Sequence, residues 1–244
     1  NWMNDRVGNE MARRTVLGLF ASGTATLLAG CGLIFPSNRL RQKIAVEVET
    51  PSGLRTGSSI VETEMQKGKS WGDASGTQFK LWGEAVAVDL PGDRTLFALL
   101  RGADGAAGDA AIYQARLISD ALRAGTVANT PIAVDGLDLM AVRKEAKDAE
   151  VRLDLPPKLY PLLVTFRDIN DPKSITRVDP TAFSSTFGPG VSLKRIMVEA
   201  TNNPVTTGID KRLAWLNYLD RYRTDSENPF TSTLPNEIGS LRSK

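Results

Sequence analysis

The stretch KIAVEVETPSGLRTGSSIVETEM, Lys43 to Met65, decides the fold. From Lys43 to Thr50 the apolar residues Ile44, Val46 and Val48 alternate with Lys43, Ala45, Glu47 and Glu49. A period of two is the mark of a strand with one buried face. Pro51-Ser52-Gly53 is turn chemistry: proline presets its φ and glycine tolerates a positive one. Ser58 to Met65 is the returning strand. The pattern predicts an antiparallel hairpin near the start of a sheet.

Working outward, Lys67 to Gly76 is a glycine-rich loop. Phe79 to Leu90 reads as one strand, with a bulge at Gly83. Pro91-Gly92 turns the chain into a strand over Thr95 to Leu100. Arg101 to Ala110 is a flexible loop without the spacing of a phosphate-binding motif. Asp109 is placed to cap a helix running to about Ala124 and closed by Gly125, with Ile112, Ala115, Ile118 and Leu122 on one face. A short strand over 132–134, a charged surface helix from Met140 to Glu150 and a buried strand from Leu159 to Asp168 follow. Ser174 to Val178 is read as a return strand. Asp179-Pro180 opens a short helix to Phe187, Val191 to Ala200 is a strand, and Ile209 to Tyr222 is a last helix. These elements predict an α+β fold, sheet-dominated and mostly antiparallel, with seven or eight strands and about three helices.

Composition narrows the chemistry. The 244 residues are 41% hydrophobic and 24% charged, which suits one domain with appendages. Lys and Arg total 30 against 28 for Asp and Glu, a net charge of +2. Nucleic-acid binders carry a clearer basic excess, so no nucleic-acid partner is expected. The sequence has no histidine and one cysteine. That excludes His-dependent triads and His-ligated zinc, any intrachain disulfide, and a cysteine-caged iron–sulfur cluster.

The single cysteine stands at the end of MARRTVLGLFASGTATLLAGC, Met11 to Cys31. Arg13 and Arg14 precede an apolar run from Val16 to Leu28, and small residues follow. This is the layout of a secretory signal peptide. The run is short of the roughly 20 apolar residues that span a bilayer. Leu28-Ala29-Gly30-Cys31 resembles the lipobox of bacterial lipoproteins. The resemblance implies that Cys31 carries a diacylglyceryl group and becomes the first residue after cleavage. Arg13, Arg14, Leu28, Ala29 and Gly30 would then serve signal recognition. Arg13-Arg14-Thr15-Val16-Leu17 also resembles a twin-arginine export signal, and an ordinary Sec signal fits the same residues. Gly32 in place of aspartate resembles lipoproteins sorted to the outer membrane, facing the periplasm. The implied organisation is an upstream extension over 1–10, a signal peptide over 11–30, a lipid-anchored tether over 31–42, one α+β domain over 43–223 and a polar, flexible tail over 224–244. Following Gly32 to Asn38, Arg39, Arg41 and Lys43 would either meet anionic headgroups or form the basic face of a first strand.

Two further segments, Val48 to Glu62 and Tyr160 to Leu216, resemble a family of uncharacterised proteobacterial proteins. That resemblance implies one conserved-type domain and no transferable activity. Candidate chemistry in the domain is sparse. Asp168, Asn170 and Asp171 offer oxygen ligands for Ca²⁺ without the EF-hand spacing, and an Asx turn closed by Pro172 accounts for them better. Glu47, Glu49, Glu62 and Glu64 would form a glycosidase-type pair only if they faced one another across the hairpin. Directly opposed like charges weaken a ladder, which favours a staggered, solvated arrangement. Ser192 and Lys194, like Lys69 and Ser70, lack the SxxK spacing. Trp71, Trp82 and Trp215 would line a ligand pocket or pack in the core. The resulting expectation is a membrane-anchored envelope lipoprotein without enzymatic activity or cofactor, acting as a structural or partner-binding domain. Its alternatives are a small-ligand or lipid-binding lipoprotein and a carboxylate-based enzyme.

Overall fold

The computed structural model describes residues 38–67, 76–103, 109–124, 136–148, 152–218 and 236–244. The hairpin forms as expected and is longer at both ends. β1 (Asn38–Thr50) pairs with β2 (Gly53–Lys67) in unbroken antiparallel register from Asn38↔Met65 to Thr50↔Gly53. Pro51 and Ser52 make the turn, and Gly53 takes a positive φ of 108°. Thr50 Oγ1 donates to the Gly53 carbonyl at 2.7 Å and fastens it. The alternation sends Leu40, Ile44, Val46 and Val48 into the core. Leu40 and Gln42 are each 1% exposed, so the residues expected as a tether up to 42 belong to the first strand from Asn38 onward.

Among the described residues there are ten strands, all pairing antiparallel, in two sheets. The further strands are β3 (Thr77–Glu84), β4 (Val86–Leu90), β5 (Arg94–Gly102), β6 (Leu153–Asp154), β7 (Pro161–Phe166), β8 (Ile175–Arg177), β9 (Ser192–Ala200) and β10 (Arg242–Ser243). One sheet has the order β10-β3-β2-β1-β9-β6 and the other β4-β5-β7-β8. The count exceeds seven or eight because β6 and β10 are two-residue edge strands and because Phe79–Leu90 is divided between two strands. Two residues carry no periodicity. The helices are α1 (Ala110–Arg123), α2 (Leu139–Asp148) and α3 (Phe183–Phe187), with the start of a fourth at 216–218.

Phe79 to Leu90 is not one strand. The chain breaks at Ala85, leaving β3 in the six-stranded sheet and β4 in the four-stranded one. Gly83 permits the departure, with a φ of 138° that side chains rarely adopt. The two sheets come close here: a Cβ on Gly57 of β2 would lie 2.1 Å from the Ala87 carbonyl oxygen of β4.

Two cores result. The first lies between the sheets and takes Val46 and Val61 from one, Val88 and Leu96 from the other, and Ala115 and Ile118 from α1. Asp109 caps α1 as expected, its carboxylate accepting from Ala111 N–H at 2.7 Å. A buried amide pair ties this helix to both sheets. Gln42 Nε2 donates to Gln114 Oε1 at 2.7 Å, and Gln114 Nε2 donates to the Leu100 carbonyl at 2.9 Å. The second core covers the other face of the four-stranded sheet. Phe97, Leu99, Leu162, Val164 and Phe166 meet Ile209, Leu213, Leu216, Ile238 and Leu241. β5 and β7 are therefore buried on both faces and read as continuous apolar runs.

Three expectations need correction here. Asp179 closes a turn, accepting from Thr181 N–H at 2.8 Å, and the helix is confined to Phe183–Phe187. The expected helix from Ile209 opens instead as a single 3₁₀ turn, Ile209–Lys211. The tail expected to be flexible contains Ile238, 6% exposed, and Leu241, 0% exposed, and it ends in a strand paired with β3. Gly125, the strand over 132–134 and Tyr222 lie outside the described residues.

Candidate functional site

A broad concavity opens where β2 and β3 part. β3 follows β2 from Lys67↔Thr77 to Glu62↔Trp82, pairs beyond that with β10, and hands the chain to the other sheet after Glu84. Thr206 takes over the vacated edge: its N–H donates to the Ile60 carbonyl at 3.0 Å, and its hydroxyl accepts from Ile60 N–H at 2.9 Å. The fork between these partners is an open groove of about 770 Å³. Arg39, Glu62 and Trp82 form its sheet side, and residues 205–211 and 242–244 form its walls.

Its charges are tightly arranged. Glu62 accepts from Arg39 Nη1 at 3.1 Å and from Arg41 Nε. Arg39 Nη2 also lies 2.8 Å from Glu64 Oε2, and its guanidinium stands 5.5 Å from the centre of the half-buried Trp82 ring. Such a cation–π contact is worth roughly 0.5–1 kcal/mol at an exposed site. The Gln66 amide, with Arg39 beside it, holds the Glu64 carboxyl below its ordinary value. On the facing wall, Glu84 Oε2 accepts from Ile209 N–H at 2.8 Å and pins the 3₁₀ turn. Arg242 Nη1 lies 3.9 Å from Asp210 Oδ2. An indole face, a guanidinium and paired carboxylates at a groove of this size are suited to binding.

The register separates the four glutamates. Glu62 stands opposite Arg41, Glu64 opposite Arg39, Glu47 opposite Thr56 and Glu49 opposite Leu54. On the other side of β1, Arg195 holds Glu47 at 2.9 Å, and the Arg195 hydrogen bond keeps that carboxyl below its ordinary value. Lys194 lies 3.6 Å from Glu49. Every one of these carboxylates faces a cation, and none of the four stands directly opposite another across the hairpin.

The turn at Asp168 is built from Asx bonds: Asn170 N–H donates to Asp168 Oδ1 and Lys173 N–H to Asp171 Oδ1, both at 2.9 Å. No group of three or more metal-type side chains forms among the described residues. The three tryptophans do not converge. Trp82 lines the groove, Trp215 packs edge-on to Phe166 at 5.7 Å in the second core, and Trp71 lies outside the described residues. Lys69 and Ser70 also lie outside them, as do Cys31 and its recognition residues Arg13, Arg14, Leu28, Ala29 and Gly30. Among the described residues no helix is long and apolar enough to cross a membrane.

A first strand with a solvated basic face, or one begun at Lys43, leaves the pairing of Arg39 and Arg41 with Glu62 and Glu64 out of view. The signal existed: carrying the two-residue turn's register outward places each arginine opposite its glutamate. The groove's far wall comes from segments more than a hundred residues away and leaves no local trace. No family model matches the chain, and neither the curated proteins nor the solved structures contain a significant match.

Proposed function

We propose that this chain is a lipoprotein of the bacterial cell envelope, anchored through lipid on Cys31, whose domain binds a partner without catalysing a reaction. The anchor reading is carried by Leu28-Ala29-Gly30-Cys31 behind an apolar run and two arginines. Two acyl chains at about 0.8 kcal/mol per buried CH₂ would hold it firmly. The binding reading is carried by the groove at the fork, where Trp82 and Arg39 offer a stacked, half-exposed surface. A second reading, capture of a small ligand, is favoured by the groove's volume of about 770 Å³, which lies within the usual range for ligand sites.

The anchor is tested by feeding labelled palmitate to cells making the parent chain or Cys31→Ser. Label and membrane sedimentation in the parent alone support it, and an unlabelled, soluble parent refutes it. The groove is tested with a photo-crosslinker at Trp82 and another at exposed Leu54, at the far end of the hairpin. A discrete adduct from position 82 and none from position 54 supports partner binding. Identical adduct patterns would refute use of the groove.

A further inference from the structure

The basic residues expected to meet lipid are largely neutralised in the fold. Arg39 and Arg41 pair with Glu62, and Lys43 lies 3.4 Å from Glu199. Two others are not. Arg143 Nη2 and Lys147 Nζ, on α2, both donate to Asn202 Oδ1, at 2.5 and 2.9 Å. Arg41 Nη1 reaches the Asn202 backbone carbonyl at 3.4 Å. Two full positive charges thus meet on one uncharged oxygen, and among the described residues neither has a carboxylate partner. The cluster is a local excess of positive charge at the surface.

Its position says which anion. Met140, Arg143, Lys144 and Lys147 follow i, i+3, i+4, i+7 spacing and share one flank of α2. Glu145 falls on the other flank, across the buried Leu139, Val142 and Ala146. Met140 is exposed, and its N–H donates to Asn38 Oδ1 at 3.2 Å. The helix therefore begins beside the first residue of β1. Asn38 lies seven residues beyond Cys31 in the chain. Seven residues span at most about 25 Å when fully extended.

We infer that this flank of α2, with Arg143 and Lys147 as its charges and Met140 as its apolar foot, docks on the anionic phospholipid headgroups of the membrane that holds Cys31. The inference rests on the anchor reading for the choice of membrane. Phosphodiester oxygens supply the acceptors that Asn202 alone supplies in the free domain, and Met140 enters the interface between them. Docking would hold the domain against the bilayer through α2.

The test uses the full chain carrying Cys31→Ser, sedimented with vesicles of phosphatidylcholine alone or with added phosphatidylglycerol. The serine chain cannot be lipidated, so the outcome is independent of the palmitate experiment, and either reading can fail alone. Residues 11–30, with Arg13 and Arg14, are the same in every variant, so whatever they contribute is constant and the comparison is between variants. Arg143→Gln and Lys147→Gln should each cut the preference for phosphatidylglycerol about fivefold. Arg143→Lys keeps the charge and should keep the preference. Urea midpoints equal to the parent's show that the variants are folded. An unchanged preference in the double glutamine variant overturns the inference. So does displacement by inorganic phosphate at matched ionic strength, which would make the ligand a soluble anion.

Discussion

Asp120 and Glu47 show how the same side-chain chemistry takes opposite signs in one domain. Asp120 lies partly buried on α1, with Oδ1 unpartnered and Arg116 Nε 3.4 Å from its other oxygen. Burial outweighs that arginine and raises its pKa above the ordinary 3.8. A raised folded-state pKa means stability that is complete when the group is protonated and is lost as pH rises. Asp120→Asn should therefore unfold at higher urea than the parent at pH 7, with the gap closing below about pH 4. Glu47 behaves inversely, because the Arg195 hydrogen bond lowers its pKa below 4.5. Its contribution is present at neutral pH and fades as pH falls through the lowered value. Glu47→Gln should cost stability at pH 7 and cost less on acidification. Urea midpoints for both variants across pH 3–7 check the signs together. Parallel curves for parent and variant would refute either assignment.

Between elements, β2 passes close over β4. An alanine at Gly57 would place its Cβ 2.1 Å from a backbone oxygen, and backbone cannot step aside as a side-chain tip can. Gly57→Ala should cost about 1–3 kcal/mol or more. At Gly239, where an added Cβ meets nothing within 4 Å, the same change should stay within about 0.5 kcal/mol. Denaturant unfolding of the two variants separates a specific clash from a general loss of glycine. This crossing marks the limit of what alternation reveals. The hairpin, α1 with its Asp109 cap and the buried run of β7 were legible because each is decided by its own residues. Period two continues through Phe79–Leu90, yet it reports only that the chain is extended, not to which sheet it pairs. At the switch, Ala85 N–H donates to the Leu241 carbonyl and Gly83 lies against Val61, both distant in sequence. The groove opens at that switch and was hidden for the same reason.

For the whole molecule, the decisive piece is the last one. The four-stranded sheet would present Phe97, Leu99, Leu162, Val164 and Phe166 to water if only its inner face were packed. Residues 236–244 complete the cover begun by Ile209, Leu213 and Leu216, and their polar composition conceals it: among Asn236, Glu237, Ser240, Arg242, Ser243 and Lys244 stand the two anchors Ile238 and Leu241. Polar contacts hold the segment in register. Arg177 of β8 lies 2.6 Å from Glu237, the Leu241 carbonyl accepts from Ala85 N–H at 2.8 Å, and Ser243 Oγ donates to the Leu81 carbonyl at 2.9 Å. The segment thus bonds to both sheets at the point where the chain changes from one to the other. Leu241→Ala removes a fully buried side chain and should cost about 2–5 kcal/mol. The loss should extend to the groove, because Arg242 to Lys244 follow directly and form one of its walls. Crosslinking from position 82 should fall in the variant even under conditions where it remains folded. A parent-like urea midpoint would mean that this segment does not seal the second core. A lowered midpoint with unchanged crosslinking would confine its role to stability and take the groove's far wall out of partner binding.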